Sequence, residues 1–141
     1  MPHIVIDTNV YIDWLNARKY EALVLRRDAV RHLSAVVWME LSAGAMDSRN
    51  RRTVEGFTAP FISAGRILLP SAVNFAEAGS VLARLRGELD YDPAGLQSIV
   101  GDVLIALSAR SIGAVVYTQN ERDFTAIQRV RAFRFVVVDP G

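Results

Sequence analysis

The chain has no cysteine and only two histidines, His3 and His32, among its 141 residues. The first absence excludes disulfides and thiolate metal sites, and it fits a reducing compartment. The second leaves too little imidazole for the usual zinc hydrolase patterns, so any metal or catalytic chemistry must rest mainly on carboxylates. Lysine is almost missing too: Lys19 is the only one among 16 basic residues, the others being arginine. Nothing reads as a repeat, a low-complexity tract or a linker. No apolar run approaches the ~18 residues needed to cross a bilayer, and the N-terminus lacks the basic region of a signal peptide. The expected location is therefore cytoplasmic, away from membranes.

What remains is an ordinary globular composition, 51% hydrophobic and 22% charged. It reads as one domain over residues 1–141, long enough for a full core. The formal net charge of +1 says little about partners. The choice of arginine says more, because its planar fork suits phosphate and carboxylate; biased base composition of the genome explains the same bias.

The stretch His3-Ile4-Val5-Ile6-Asp7-Thr8-Asn9 reads as a buried parallel strand that ends in polar groups. Helix follows from Val10 to Leu15, and a second from Tyr20 to His32. Ser34 to Val37 reads as a second strand, followed by a helix with Glu40 in its first turn. Arg51 to Phe61 is expected to be helical, and Ile67 to Leu69 a third strand ended by Pro70. Ser71 or Asn74 caps a long helix through Arg86, with Gly87 as its stop. Tyr91 to Gly95 is turn chemistry, and a further long helix runs from about Leu96 to Ser111. Ala114 to Tyr117 and Phe135 to Val138 supply the fourth and fifth strands. Short, continuously apolar strands alternating with helices predict a three-layer α/β/α fold around a mainly parallel five-stranded sheet.

Three acids fall at carboxyl ends of strands on this map: Asp7, Glu40 and Asp123. That edge is where open α/β sheets bind ligands. Asp102 lies inside an apolar helix, where an unpaired charge costs several kcal/mol to bury. A narrow solvent stripe with Ser98 and Ala109 is the ordinary alternative. Gly101 beside it suggests close approach of backbone, metal or substrate. Carboxylates that meet would repel one another unless a cation sits among them. Oxygen donors without sulfur or imidazole select Mg²⁺ or Mn²⁺. Each acid also has an ordinary reading: Asp7, Thr8 or Asn9 as a helix cap, Glu40 as a solvated helix residue, Asp123 as the cap of a short last helix.

The segments Ile6-Asp7-Thr8-Asn9, Glu40-Leu41, Asp102-Val103-Leu104-Ile105-Ala106 and Thr118 to Phe124, in this order over essentially the whole chain, resemble a PIN domain of the VapC-type ribonuclease toxins. The resemblance implies that Asp7, Glu40 and Asp102 are metal-site acids and that the fourth position is filled by Asp123 or Asn120. It implies supporting roles for Thr8, Asn9, Thr118 and Asn120, and Mg²⁺ or Mn²⁺ as the cofactor. It further implies hydrolysis of RNA to 5′-phosphate and 3′-hydroxyl ends, a cognate antitoxin as partner, and a homodimer. Arg49, Arg51 and Arg52 are candidates for gripping phosphates, and Tyr11, Trp14 and Trp38 for stacking on bases, although packing also accounts for the aromatics. A haloacid-dehalogenase-like phosphatase needs an aspartate where Asn9 stands, and a response-regulator receiver needs a late lysine. The remaining alternative is a PIN-like domain that binds RNA or a protein partner without cutting.

Overall fold

A computed structural model describes residues 1–139. Its elements are β1 (His3–Ile6), α1 (Thr8–Ala17), α2 (Glu21–Val24), β2 (Val30–Ser34), α3 (Ala35–Gly44), α4 (Ser48–Ser63), β3 (Ile67–Leu68), α5 (Ala72–Glu88), α6 (Pro93–Ser111), β4 (Val115–Thr118), α7 (Glu121–Val130) and β5 (Phe135–Val137). The strands form one five-stranded sheet in the order β3-β2-β1-β4-β5, with every pairing parallel. The α/β fold with a parallel five-stranded sheet is therefore as the sequence predicts. β1 lies in the centre, and Ile4, Val5 and Ile6 are fully buried. A strand covered on both faces cannot alternate polar with apolar, which is why this run is continuous.

The chain leaves β1 toward β2 and β3 on one side and reaches β4 and β5 on the other. The connections after β1 and β4 thus diverge, and a crevice opens between the carboxyl ends of these two neighbours. That crevice is the topological switch point of the sheet.

The region from Tyr20 to Val37 corrects the sequence reading. Instead of a helix through His32, only Glu21–Val24 is helical, and Val30–Ser34 is the second strand. Arg31 and His32 obscure the strand's apolar character, yet β2 is stabilised by pairing on both sides, with β1 and β3. Val36 and Val37 belong to α3, whose N-cap is Ser34; its hydroxyl accepts hydrogen bonds from both of their amides. Glu40 consequently stands at the sixth position of α3, beyond its first turn. Gly87 is not a stop, since α5 runs through it to Glu88. Pro93 opens α6 at its first turn, where its missing N–H is harmless, and Asp92 caps that helix. At the start of α5 both proposed caps act together: the Ser71 hydroxyl accepts from the Asn74 amide, and the Asn74 side chain accepts from the Ser71 amide.

Tyr11 and Trp14 are buried and pack on Phe57, with ring centroids 4.8 and 5.5 Å away. That removes Tyr11 and Trp14 as base-stacking platforms. Trp38 is only partly buried against the core. Among the described residues no helix is long and apolar enough to cross a membrane.

Candidate active site

Asp7 follows β1 directly and is the N-cap of α1, so its backbone is fixed by the sheet on one side and the helix on the other. Its Oδ1 accepts from the Thr8 amide at 2.8 Å and its Oδ2 from the Thr118 hydroxyl at 2.7 Å. Thr118 ends β4, the strand beside β1, so the switch-point crevice itself brings the two together. Asp7 thus both caps α1 and stands at the crevice, two readings that compete in the sequence. It is only 4% exposed, and burial raises its pKa above the ordinary 3.8, against the lowering effect of its hydrogen bonds to Thr118 and Thr8.

The Thr118 hydroxyl also accepts from the Asn120 amide at 3.0 Å. Asn120 then acts as a bracket. Its Oδ1 caps α7 by accepting from the Asp123 amide, and its Nδ2 donates to Asp102 Oδ2 at 3.2 Å and to Asp123 Oδ2 at 3.0 Å. An amide nitrogen facing two carboxylates is a donor and cannot ligate a cation. Asp123 Oδ1 accepts from the Tyr91 hydroxyl at 2.8 Å. The phenol of Tyr91 is pushed up to about 12, first by burial and then by that bond, so it stays a donor at neutral pH.

Glu40 reaches the group from α3 and accepts from the Thr8 hydroxyl at 2.7 Å. Asn9 sits slightly apart: its Oδ1 accepts from the Gln119 amide at 3.3 Å, and the Gln119 side chain donates to Asp13 at 2.8 Å. This lattice ties the start of α1 to the end of β4. Sequence reading missed both Gln119 and Tyr91, because a single polar residue in a loop carries no periodic signal.

Asp102 is where the electrostatics concentrate. Its pKa is raised to about 8, mainly by burial, then by the charges of Asp7, Asp123 and Glu40, while Asn120 pulls it down. The solvent-stripe alternative fails because Ala109 is fully buried. None of the ion pairs among the described residues includes Asp7, Glu40, Asp102 or Asp123. Among the described residues, the four acids therefore share one edge with no ion pair to neutralise them.

This all-oxygen set suits Mg²⁺ or Mn²⁺ rather than a softer ion. Among the described residues no three of these side chains close into a ready-made cage. Mg²⁺ does not require one: it keeps several waters and takes one or two carboxylates directly. The residues present fit such an ion, with Asp7, Glu40 and Asp102 as the acids that would hold it.

The close approach expected at Gly101 is not found. A Cβ there would stand 3.4 Å from Val36 Cγ1 and 3.6 Å from Glu40 Oε2, ordinary contact between α6 and α3. Alanine still fits at ordinary contact and gains helix propensity. Gly101→Ala is expected to stabilise the fold by up to about 1 kcal/mol. Gly101→Ile overfills the gap and is expected to cost about 1–3 kcal/mol. Thermal denaturation of both variants checks the pair of signs.

The arginine cluster divides. Arg49 lines a cavity of about 520 Å³ between α1, α3 and α4 that Glu40 also borders, whereas Arg51 lines a smaller cavity with Trp38.

The sequence from residue 4 to 130 matches the model of the PIN domain. The chain belongs to the PIN-domain family. No curated protein matches the chain, but solved structures do. The PIN fold here is similar to a chain of the DNA-bound VapBC from Salmonella typhimurium, with 26% identity, a TM-score of 0.68, and coverage of 97% of this chain and 98% of that one. It is also similar to VapBC-5 of Mycobacterium tuberculosis, a member of the VapBC family of toxin–antitoxin systems, with 25% identity, a TM-score of 0.57, and coverage of 98% and 100%. VapBC2 of Rickettsia felis shares the fold at 20% identity and a TM-score of 0.70, over 97% of this chain and 99% of that one.

Proposed function

We propose that this PIN domain is a metal-dependent endoribonuclease, the toxin of a toxin–antitoxin pair. The observation that carries the proposal is the meeting of Asp7, Glu40, Asp102 and Asp123 at the switch-point crevice, with Asp102 held at about 8 and no ion pair among the described residues to relieve the repulsion. A bound Mg²⁺ or Mn²⁺ supplies Lewis acidity, activating a water and neutralising charge on the attacked phosphate. Asp7, Glu40 and Asp102 would hold the ion. Asp123 would help to hold it from the fourth acidic position, because the side chain of Asn120 is engaged as cap and bracket. The Asp123 carboxylate, fixed on both oxygens, orients the attacking water and accepts its proton. Thr8 and Thr118 hold Glu40 and Asp7 in place. Arg49, which lines a cavity that Glu40 also borders, would meet a phosphate of the substrate.

The partner reading rests on a different edge. A groove of about 670 Å³ lies at the amino ends of the strands, away from the acids, with Trp14, Phe57 and Phe61 among its apolar lining and Arg26, Arg27, Arg31 and Arg66 around it. Its fitting occupant is an acidic, amphipathic segment of the antitoxin, in keeping with neighbours that were crystallised as VapBC complexes. Exposed Met39, Ile62, Val73 and Phe75 on α3, α4 and α5 offer apolar surface for a homodimer.

Purified protein freed of antitoxin is expected to cut total RNA in Mg²⁺ or Mn²⁺, to stop on chelation, and to resume when the ion is restored. The mapped ends should be 5′-phosphate and 3′-hydroxyl. Metal-dependent binding of RNA without any cut ends would favour the non-cleaving alternative.

A further inference from the structure

We propose that Tyr91 is a positioning residue that sets the orientation of the Asp123 carboxylate for phosphodiester cleavage, an inference that rests on the metal-dependent reading above. Tyr91 lies between α5 and α6, 32 residues from Asp123 in sequence, and its hydroxyl donates to Asp123 Oδ1 at 2.8 Å. Asn120 takes the other oxygen at 3.0 Å. The half-buried Asp123 carboxylate on the first turn of α7 keeps its rotational freedom unless both oxygens are held. Among the described residues, Tyr91 is the only hydrogen-bond partner of Oδ1 from outside α7 and its cap.

The surrounding chain is shaped to present this hydroxyl. Asp90 adopts a left-handed φ of 57°, which turns the backbone after α5. The Tyr91 amide donates to Leu85 O at 3.2 Å, and Asp92 then caps α6. The ring lies against Gly95, where a Cβ would come within 3.4 Å of Tyr91 Cδ1 and 3.1 Å of Asp92 Oδ1. Gly95 therefore leaves space both for the ring and for the cap. Leu89, Tyr91, Arg122 and Asp123 line a common small cavity beside the acids. The loop thus carries the Tyr91 hydroxyl to Asp123, the acid that the proposed function gives to the water.

The test uses Tyr91→Phe, which removes the oxygen and keeps the ring, together with Asp123→Asn and the double variant. Two quantities are read in each protein: Mn²⁺ affinity by calorimetry and the kcat and KM of cleavage. Tyr91→Phe is expected to lower kcat by about tenfold with KM little changed, and to weaken Mn²⁺ binding by a similar factor, as loss of a partner to a metal-site carboxylate does. Adding Tyr91→Phe to Asp123→Asn should then cost nothing further, since the tyrosine acts only through that carboxylate. Wild-type values in Tyr91→Phe, or effects that simply multiply in the double variant, would overturn the proposal. A wild-type protein that neither binds Mn²⁺ nor cuts RNA would instead overturn the metal-dependent function itself. If wild type binds Mn²⁺ without cutting, the affinity arm alone decides for or against Tyr91.

Discussion

Asp7→Asn is expected to reduce metal-dependent RNA cleavage by about 10³-fold or more while leaving the protein folded. Under the proposed function, the loss follows from removing a central carboxylate at a site where the ion would contribute several kcal/mol to the transition state, each 1.36 kcal/mol being tenfold in rate. The fold should survive because asparagine keeps the contacts that matter locally. Its Oδ1 still accepts from the Thr8 amide, and its Nδ2 can donate to the Thr118 hydroxyl, which turns to accept instead of donating. Burying a neutral amide at a position 4% exposed also avoids the cost of burying a charge. Stability equal to or above that of wild type, with activity gone, is the expected pair of results. Circular dichroism, thermal denaturation and cleavage assays on the same preparation check it. Full activity in this variant would sink the assignment of the site.

Asp102→Asn should change how stability depends on pH. A carboxyl raised from 3.8 to about 8 keeps its proton in the folded state where the unfolded chain has lost it. The folded state then binds more protons, and stability falls as pH rises toward 8, levelling off above it. Asp7 is raised too and acts in the same direction. His32, lowered by burial and by the charges of His3 and Arg66, loses stability only as pH falls below its ordinary 6.5. The window from pH 6.5 to 8.5 therefore isolates the acids. In chelator, the melting temperature of wild type is expected to drop across this window by several degrees, at about 3 °C per kcal/mol for a chain of this size. Asp102→Asn should flatten most of that slope and melt higher than wild type at pH 8.5. Mn²⁺ should restore the wild-type melting temperature at pH 8.5 and do little for the variant. A slope unchanged by the substitution would mean that Asp102 is not the group under strain.

The parts of this site that could be read from the sequence are those in which local pattern and fold agree. β1 and Asp7 were legible because a doubly covered strand leaves a continuous apolar run that must stop where the chain meets the crevice. Asp102 was legible because an acid among Val103, Leu104 and Ile105 has no comfortable surface to occupy. Glu40 was found, but its place in α3 was not, since β-branched Val36 and Val37 resemble strand residues and only the Ser34 cap assigns them to helix. β2 was hidden for the opposite reason: its strand form comes from pairing with β1 and β3, which no local window contains. Tyr91 and Gln119 act through contacts 32 and more than 100 residues distant in sequence, and nothing in their own neighbourhoods marks them.

The hydrogen bond from Thr118 to Asp7 spans 111 residues, and the other acids arrive from α3, α6 and α7. Under the proposed function, a ribosome must therefore finish nearly the whole chain before any of it can cut RNA. Fragments released early carry Asp7 and Glu40 but neither the strand that holds the first nor the helices that supply the rest. With that function, the topology of the sheet is a built-in delay on the appearance of activity during translation.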